Sequence, residues 1–207
     1  MPKIVDPEAR RADVVEAVFR IIAVDGLERA SLREVADEAG LAVGSVRHYF
    51  AGSEELLTYS FAAVVDRVVL RLTEALARTR EMAPGTREHH DAVLTLLGEL
   101  LPLDERRALE ACVWMAFKNA ARIRPFLAAE ADRSHRQVAA VIGQVITALL
   151  TDDGDAQEIL VVEAERLLAT LDGLCMHALL QPDWMTAGMC RDVLERHLAD
   201  LAAAPGR

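Results

Sequence analysis

Between residues 8 and 203 the apolar side chains return every three or four positions, and no stretch alternates apolar with polar residues over the length of a half-buried strand. Val15, Val18, Phe19 and Ile22 stand at i, i+3, i+4 and i+7, and Leu32, Val35, Ala36 and Ala39 repeat the spacing. A period near 3.6 lines one face of a helix, so such a chain buries its apolar surface by packing helix on helix. Composition agrees: hydrophobic residues make up 52 % of the chain and aromatics 4 %, with alanine, leucine and valine supplying most of the rest. The expected fold class is all-α.

Turn-forming residues divide the pattern. Breaks at Asp25-Gly26, Gly40-Leu41, Ala51-Gly52, Pro84-Gly85, Leu101-Pro102, Arg124-Pro125, Asp152-Asp153-Gly154 and Gln181-Pro182-Asp183 predict nine helices, at about residues 8–24, 32–39, 43–49, 53–81, 86–101, 104–122, 124–151, 155–180 and 186–203. Ser31-Leu32-Arg33-Glu34 has the form of a capping box, in which hydroxyl and carboxylate reciprocally satisfy backbone N–H groups at a helix start. Ser53 is placed to cap the fourth helix, with Glu54 and Glu55 in its first turn. Pro125 suits the first turn of its helix, and Asp155 with Glu158 forms an acidic version of the box. The grouping predicts a three-helix domain over residues 1–52 and a six-helix domain over residues 53–207.

Several classes of protein are excluded. No apolar run approaches the roughly 18–20 residues that span a bilayer, and the first twenty residues interleave charge with apolar side chains, so a cytoplasmic protein with no membrane partner is expected. Cys112, Cys175 and Cys190 are odd in number and form no CxxC pair, which predicts small buried hydrophobes and neither disulfide nor zinc site. A net charge of -10 opposes non-specific attraction to nucleic acid.

Leu32 to Phe50 nevertheless has what two steeply crossing helices require. Ala36 is small where the backbones approach, Gly40 accepts a left-handed turn, and Val35, Ala39, Leu41, Val46 and Tyr49 supply inward apolar surface. That is the spacing of a helix-turn-helix, whose second helix enters the major groove. On the second helix, Val43, Val46 and Phe50 fall on the core side, while Gly44, Ser45, Arg47 and His48 occupy the other face; Tyr49 suits either role.

Three segments make the pattern specific: Ser31 to Ala36, Ala39 to Phe50 with its Gly44-Ser45 start and His48-Tyr49-Phe50 end, and Glu54-Glu55-Leu56-Leu57. Together they resemble the DNA-binding region of the TetR family of transcriptional repressors over about residues 9–57. The resemblance implies an all-α homodimer that binds a double-stranded DNA operator through the N-terminal domain. It also implies a C-terminal small-molecule pocket and a four-helix dimer interface, here residues 155–180 and 186–203. By the same resemblance Ser31, Arg33, Ala42, Gly44, Ser45, Arg47, His48, Tyr49 and Ser53 are the candidate DNA contacts. The family usually has an aromatic where this chain has Arg47 and a lysine where it has Ser53. Arg47 retains the means to reach phosphate or fork onto guanine, and Ser53 offers a hydroxyl near exposed N–H groups.

Charge is distributed accordingly. Residues 1–53 hold seven Lys and Arg against nine Asp and Glu, and Ala42 to Phe50 contains Arg47 and His48 with no carboxylate.

Elsewhere, Glu88-His89-His90-Asp91 reads as a solvated helix start, because adjacent histidines diverge on a helix and no second ligand pair follows. No metal or cofactor is expected. Cys112 to Phe117, with Trp114, Met115 and Phe117, reads either as core or as the wall of an effector pocket. The segment Leu171 to His177 carries the same two readings for Cys175, Met176 and His177, with Gly173 permitting close helix approach. Its Asp172-Gly173-Leu174 resembles the betaine-regulator type of C-terminal domain. The expected function is a ligand-responsive, non-enzymatic transcriptional repressor, homodimeric on a palindromic operator and released by a small molecule. The alternative is a helical carrier or enzyme with a vestigial helix-turn-helix.

Overall fold

The computed structural model describes residues 7–149 and 156–203. Among them are nine α-helices and no strand: α1 (Pro7–Asp25), α2 (Leu32–Glu38), α3 (Val43–Tyr49), α4 (Ser53–Arg80), α5 (Arg87–Gly98), α6 (Glu105–Ala121), α7 (Ala128–Leu149), α8 (Ala156–Leu180) and α9 (Ala187–Ala203). Short 3-10 turns cover Leu27–Arg29 and Pro125–Leu127. None of these helices is long and apolar enough to cross a membrane.

Packing density separates two compact units: residues 7–66 with 112–133, and the described residues of 67–111 and 134–203. In the first, the apolar faces of α1 (Val15, Val18, Phe19, Ile22), α2 (Val35, Ala36) and α3 (Val46) are at most 3 % exposed. Phe61 of α4 stacks on Phe117 of α6, ring centroids 4.9 Å apart. In the second, Val138, Val141, Ile142, Val145 and Ile146 bury one face of α7, and Leu167, Leu171, Leu194, Leu198 and Leu201 are buried on α8 and α9.

The turn between α2 and α3 closes as a Schellman motif. Leu41 N–H donates to the Ala36 carbonyl at 2.9 Å and Gly40 N–H to Asp37 at 3.2 Å, with Gly40 at φ 65. A Cβ built at Gly40 meets nothing within 4 Å, so only the backbone resists substitution. Gly40→Ala is therefore expected to lower stability by about 1 kcal/mol, read as a shifted urea midpoint at unchanged slope.

Several local expectations are corrected. The capping box forms only in half: Ser31 Oγ accepts from Glu34 N–H at 3.3 Å. Ser31 N–H, however, donates to the Arg29 carbonyl at 2.7 Å, and Glu34 turns to the Arg29 guanidinium at 3.3 Å, because the 3-10 turn brings Arg29 within reach. Ser53 is the first residue of α4 instead of its cap. Gly52 takes that place, its carbonyl accepting from Leu56, while the Glu55 carboxylate accepts from Ala51 N–H at 2.6 Å. Pro125 opens a separate 3-10 turn before α7. Helix α5 ends at Gly98, three residues early. The Asp155-Glu158 cap and the Asp152-Asp153-Gly154 break lie outside the described residues.

The Glu88 to Asp91 segment is not simply solvated, since His89 is 7 % exposed and Asp91 pairs with Arg191 of α9 at 2.8 Å. Cys175 and Cys190 are buried as expected, but Cys112 is only half-buried. Among the described residues, nothing lies within 4 Å of a Cβ built at Gly173.

Candidate nucleic-acid interface

Helix α3 has seven residues, and its two faces differ in exposure. Val46 is fully buried and Phe50, just past the helix, is 1 % exposed, whereas Gly44, Ser45, Arg47 and His48 are exposed and Val43 and Tyr49 half-buried. The inward positions pin α3 against the unit, and the outward ones form a surface available to a partner. Ser31, Arg33, Ala42 and Ser53 are also exposed, so Tyr49 alone among the nine candidates is partly covered. Its ring meets His48 edge-on at 5.3 Å.

Pairing among the arginines sharpens this surface. Arg10 reaches Asp13 at 3.4 Å, Arg20 reaches Glu38 at 2.5 Å and Arg29 reaches Glu34 at 3.3 Å. Arg11 donates to the Tyr49 carbonyl at 3.1 Å. Among the described residues up to Ser53, Arg33 and Arg47 alone of the arginines have no such partner. Their guanidiniums retain the full donor set for phosphate oxygens or guanine edges. Within this stretch the two free guanidiniums thus lie on α2 and α3, while carboxylates hold Arg10, Arg20 and Arg29 and a backbone carbonyl holds Arg11. Sequence spacing did not reveal this sorting, because two of these partners come from another segment.

The six residues considered for an effector pocket fall three in each unit. On α6, Phe117 is fully buried in its stack with Phe61, while Trp114 and Met115 are half-buried. The Trp114 Nε1–H is buried with no hydrogen-bond partner among the described residues. On α8, Cys175 is 8 % exposed and Met176 41 %, and His177 is exposed.

Sequence reasoning missed a buried ionic network in the second unit. Arg71 of α4 meets Glu99 at 3.0 Å and Glu110 of α6 at 2.7 Å, and Arg107 lies 3.7 Å from Glu99 and 2.8 Å from Asp104. The Arg71 and Glu110 side chains are 14 % and 4 % exposed. Backbone N–H donation from Arg107 is the main reason the Asp104 carboxyl is held below its ordinary pKa. The charges sit up to 39 residues apart in sequence, which hides them from any local pattern. A separate cavity of about 400 Å³ between α5 and α9 is lined by Leu94, Leu101, Leu103 and Leu194, with Arg107 and Arg191 as its charged residues.

Comparison with known proteins places both parts of the chain. Residues 14–59 match the model of bacterial regulatory proteins, tetR family, and residues 89–203 match that of the BetI-type transcriptional repressor, C-terminal. The HTH-type transcriptional regulator PksA of Bacillus subtilis (strain 168) is 33 % identical over 100 % of this chain and 97 % of its own. A crystal structure of a transcriptional regulator from Rhodococcus sp. Rha1 superposes with a TM-score of 0.79 at 28 % identity, covering 97 % of this chain and 100 % of the other. The multidrug binding protein EbrR, complexed with imidazole, gives a TM-score of 0.63 at 28 % identity, covering 100 % and 96 %.

Proposed function

Because the chain belongs to the TetR family of bacterial regulatory proteins, and is therefore a DNA-binding transcriptional regulator, we propose that it is a ligand-released repressor acting as a homodimer on a palindromic operator. The observation that carries the DNA-facing part of this reading is the pair of uncommitted guanidiniums, Arg33 and Arg47, on the exposed side of α2 and α3. In this reading residues 1–52 form the DNA-binding domain and residues 53–207 the effector and dimerisation domain. Ser31, Arg33, Ala42 and Ser53 position the unit on phosphates, and Gly44, Ser45, Arg47, His48 and Tyr49 enter the groove.

The dimer surface is assigned to α8 and α9. Val162, Met176 and Leu180 are 63 %, 41 % and 66 % exposed at one helical spacing on α8, with Ala169 and Gly173 on the same stripe. Trp184 and Met189 add exposed apolar surface near the start of α9. Such a stripe left in water favours association with a second copy. Two recognition helices would then meet successive major grooves, roughly 34–36 Å apart.

The effector proposed is a small organic molecule, in keeping with the imidazole held by the EbrR relative. Contacts are assigned to Trp114 and Met115 on α6, where the unpartnered indole N–H offers a donor. Effector binding changes operator affinity only by as much as it distinguishes the two dimer geometries, and α4, continuous from Ser53 to Arg80, is the assigned lever.

The test is a fluorescence-anisotropy salt titration on DNA from upstream of the protein's own gene. Few cations face the groove, so fewer than about ten counterions are expected to be released per protomer, with dimer avidity supplying affinity. Absence of binding refutes operator recognition, and ten or more released counterions per protomer contradict the sparse-contact surface.

A further inference from the structure

Arg11 of α1 occupies an unusual position at the end of α3. Its Nη2 donates to the backbone carbonyl of Tyr49, the last residue of α3, at 3.1 Å. Its guanidinium carbon lies 5.5 Å from the centroid of the Phe50 ring and 5.3 Å from that of Tyr59 on α4. These two rings meet edge to face at 5.4 Å and 62°. One half-buried cation is thus held by two aromatic faces and a carbonyl, joining α1, the C-terminal end of α3 and α4.

Each contact has a physical reason to persist. The last carbonyls of a helix lack intrahelical donors, and a cation there also meets the negative end of the helix dipole. A planar guanidinium can present an edge to a carbonyl while its faces lie against aromatic rings, an arrangement closed to a lysine ammonium. Phe50 is 1 % exposed and anchored in the core, so the cage has a fixed wall, whereas Tyr59 is 41 % exposed and belongs to α4. The exposed residues Arg47 and His48 stand two positions and one position before the residue whose carbonyl Arg11 holds.

We propose that Arg11 is a positioning residue for operator recognition: it fixes the last turn of α3 and, through Tyr59, makes the placement of that turn depend on α4. This rests on the reading that α3 enters the groove. Arg11 acts through Tyr49 and touches no phosphate. Displacement of Tyr59 with α4 strips one face from the guanidinium and loosens the carbonyl it holds, which carries a change in α4 to the residues that read DNA.

Salt dependence separates positioning from direct phosphate contact. The full-length protein is titrated against the same upstream DNA across a salt series, as wild type, Arg11→Met, Arg11→Lys, Tyr59→Leu and the Arg11→Met/Tyr59→Leu double variant. Arg11→Met is expected to weaken binding about tenfold with the slope of log K against log salt unchanged. Arg11→Lys recovers only part of the loss, and the double variant loses less than the two single changes combined, as two members of one contact must. Circular dichroism confirms folding at the assay temperature. Should Arg11→Met not fold, Tyr59→Leu carries the test alone, because it leaves the cation in place and is expected to weaken binding at constant slope. A slope reduced by about one for each protomer would show direct phosphate contact, and wild-type affinity in the folded single variants would remove the positioning role; either overturns the proposal. Wild-type protein that binds no DNA would instead overturn the groove reading of α3.

Discussion

Arg47→Ala is expected to weaken operator binding by about 10- to 100-fold at fixed salt, because a guanidinium forked onto a base edge carries on the order of 1–3 kcal/mol of discrimination. The side chain is exposed and has no ion-pair partner among the described residues, so its removal leaves no buried group orphaned there and the unit is expected to stay folded. The loss is also expected to be sequence-dependent, greatest on the operator and smaller on unrelated DNA. Gly44→Trp provides a second probe of the same surface. Gly44 is exposed and a Cβ built there meets nothing within 4 Å among the described residues, so the first atom of a side chain is accommodated, and an indole projecting from α3 is expected to keep the helix out of the groove. Electrophoretic shifts with DNA upstream of the gene decide the matter. A shift retained by both folded variants would remove α3 from the role of recognition helix.

Arg71→Met is the substitution expected to affect stability most. It leaves Glu110, 4 % exposed at its side chain, without a counter-charge, while Glu99 retains Arg107 at 3.7 Å. Removing one member of a buried pair costs about 3–5 kcal/mol, because the remaining charge has been withdrawn from water and has nothing to offset the loss. For a chain of this length that corresponds to a fall in Tm on the order of 10 °C, read by circular dichroism or calorimetry. Adding Glu110→Leu to Arg71→Met is expected to recover most of the loss, since the desolvated charge goes with it. A fall of less than about 2 °C in the single variant would show that water reaches Glu110 and that the network contributes little.

The helical architecture was legible because its signals are local. Val15, Val18, Phe19 and Ile22 show their common face at a spacing any helix imposes, and Gly40 signals its turn through a conformation, φ 65, that disfavours a Cβ. Helix starts were placed within a few residues, and the departures came from groups that compete for the same backbone atoms. Arg29 drew Glu34 away from the capping box, and Glu55 with Gly52 displaced Ser53 from the cap. His89 resembled a surface residue because its own segment is polar; its burial comes from packing that the segment does not encode.

The division of α3 into a buried and an exposed face followed from the sequence, as did the concentration of cations without carboxylates between Ala42 and Phe50. Which cations stay free did not. Arg20 finds Glu38 across 18 residues and Arg11 finds Tyr49 across 38, and only the packing of α1 on its neighbours selects these partners over water. The same holds for Arg71, whose two carboxylates arrive from the end of α5 and from α6. By itself the sequence determined an all-helical chain with a helix-turn-helix, since backbone geometry and apolar period act within a few residues. Tertiary structure alone decided which charges pair inside the fold and which stay exposed and unpaired, because Coulomb attraction and desolvation depend on distances that exist only once the helices have packed.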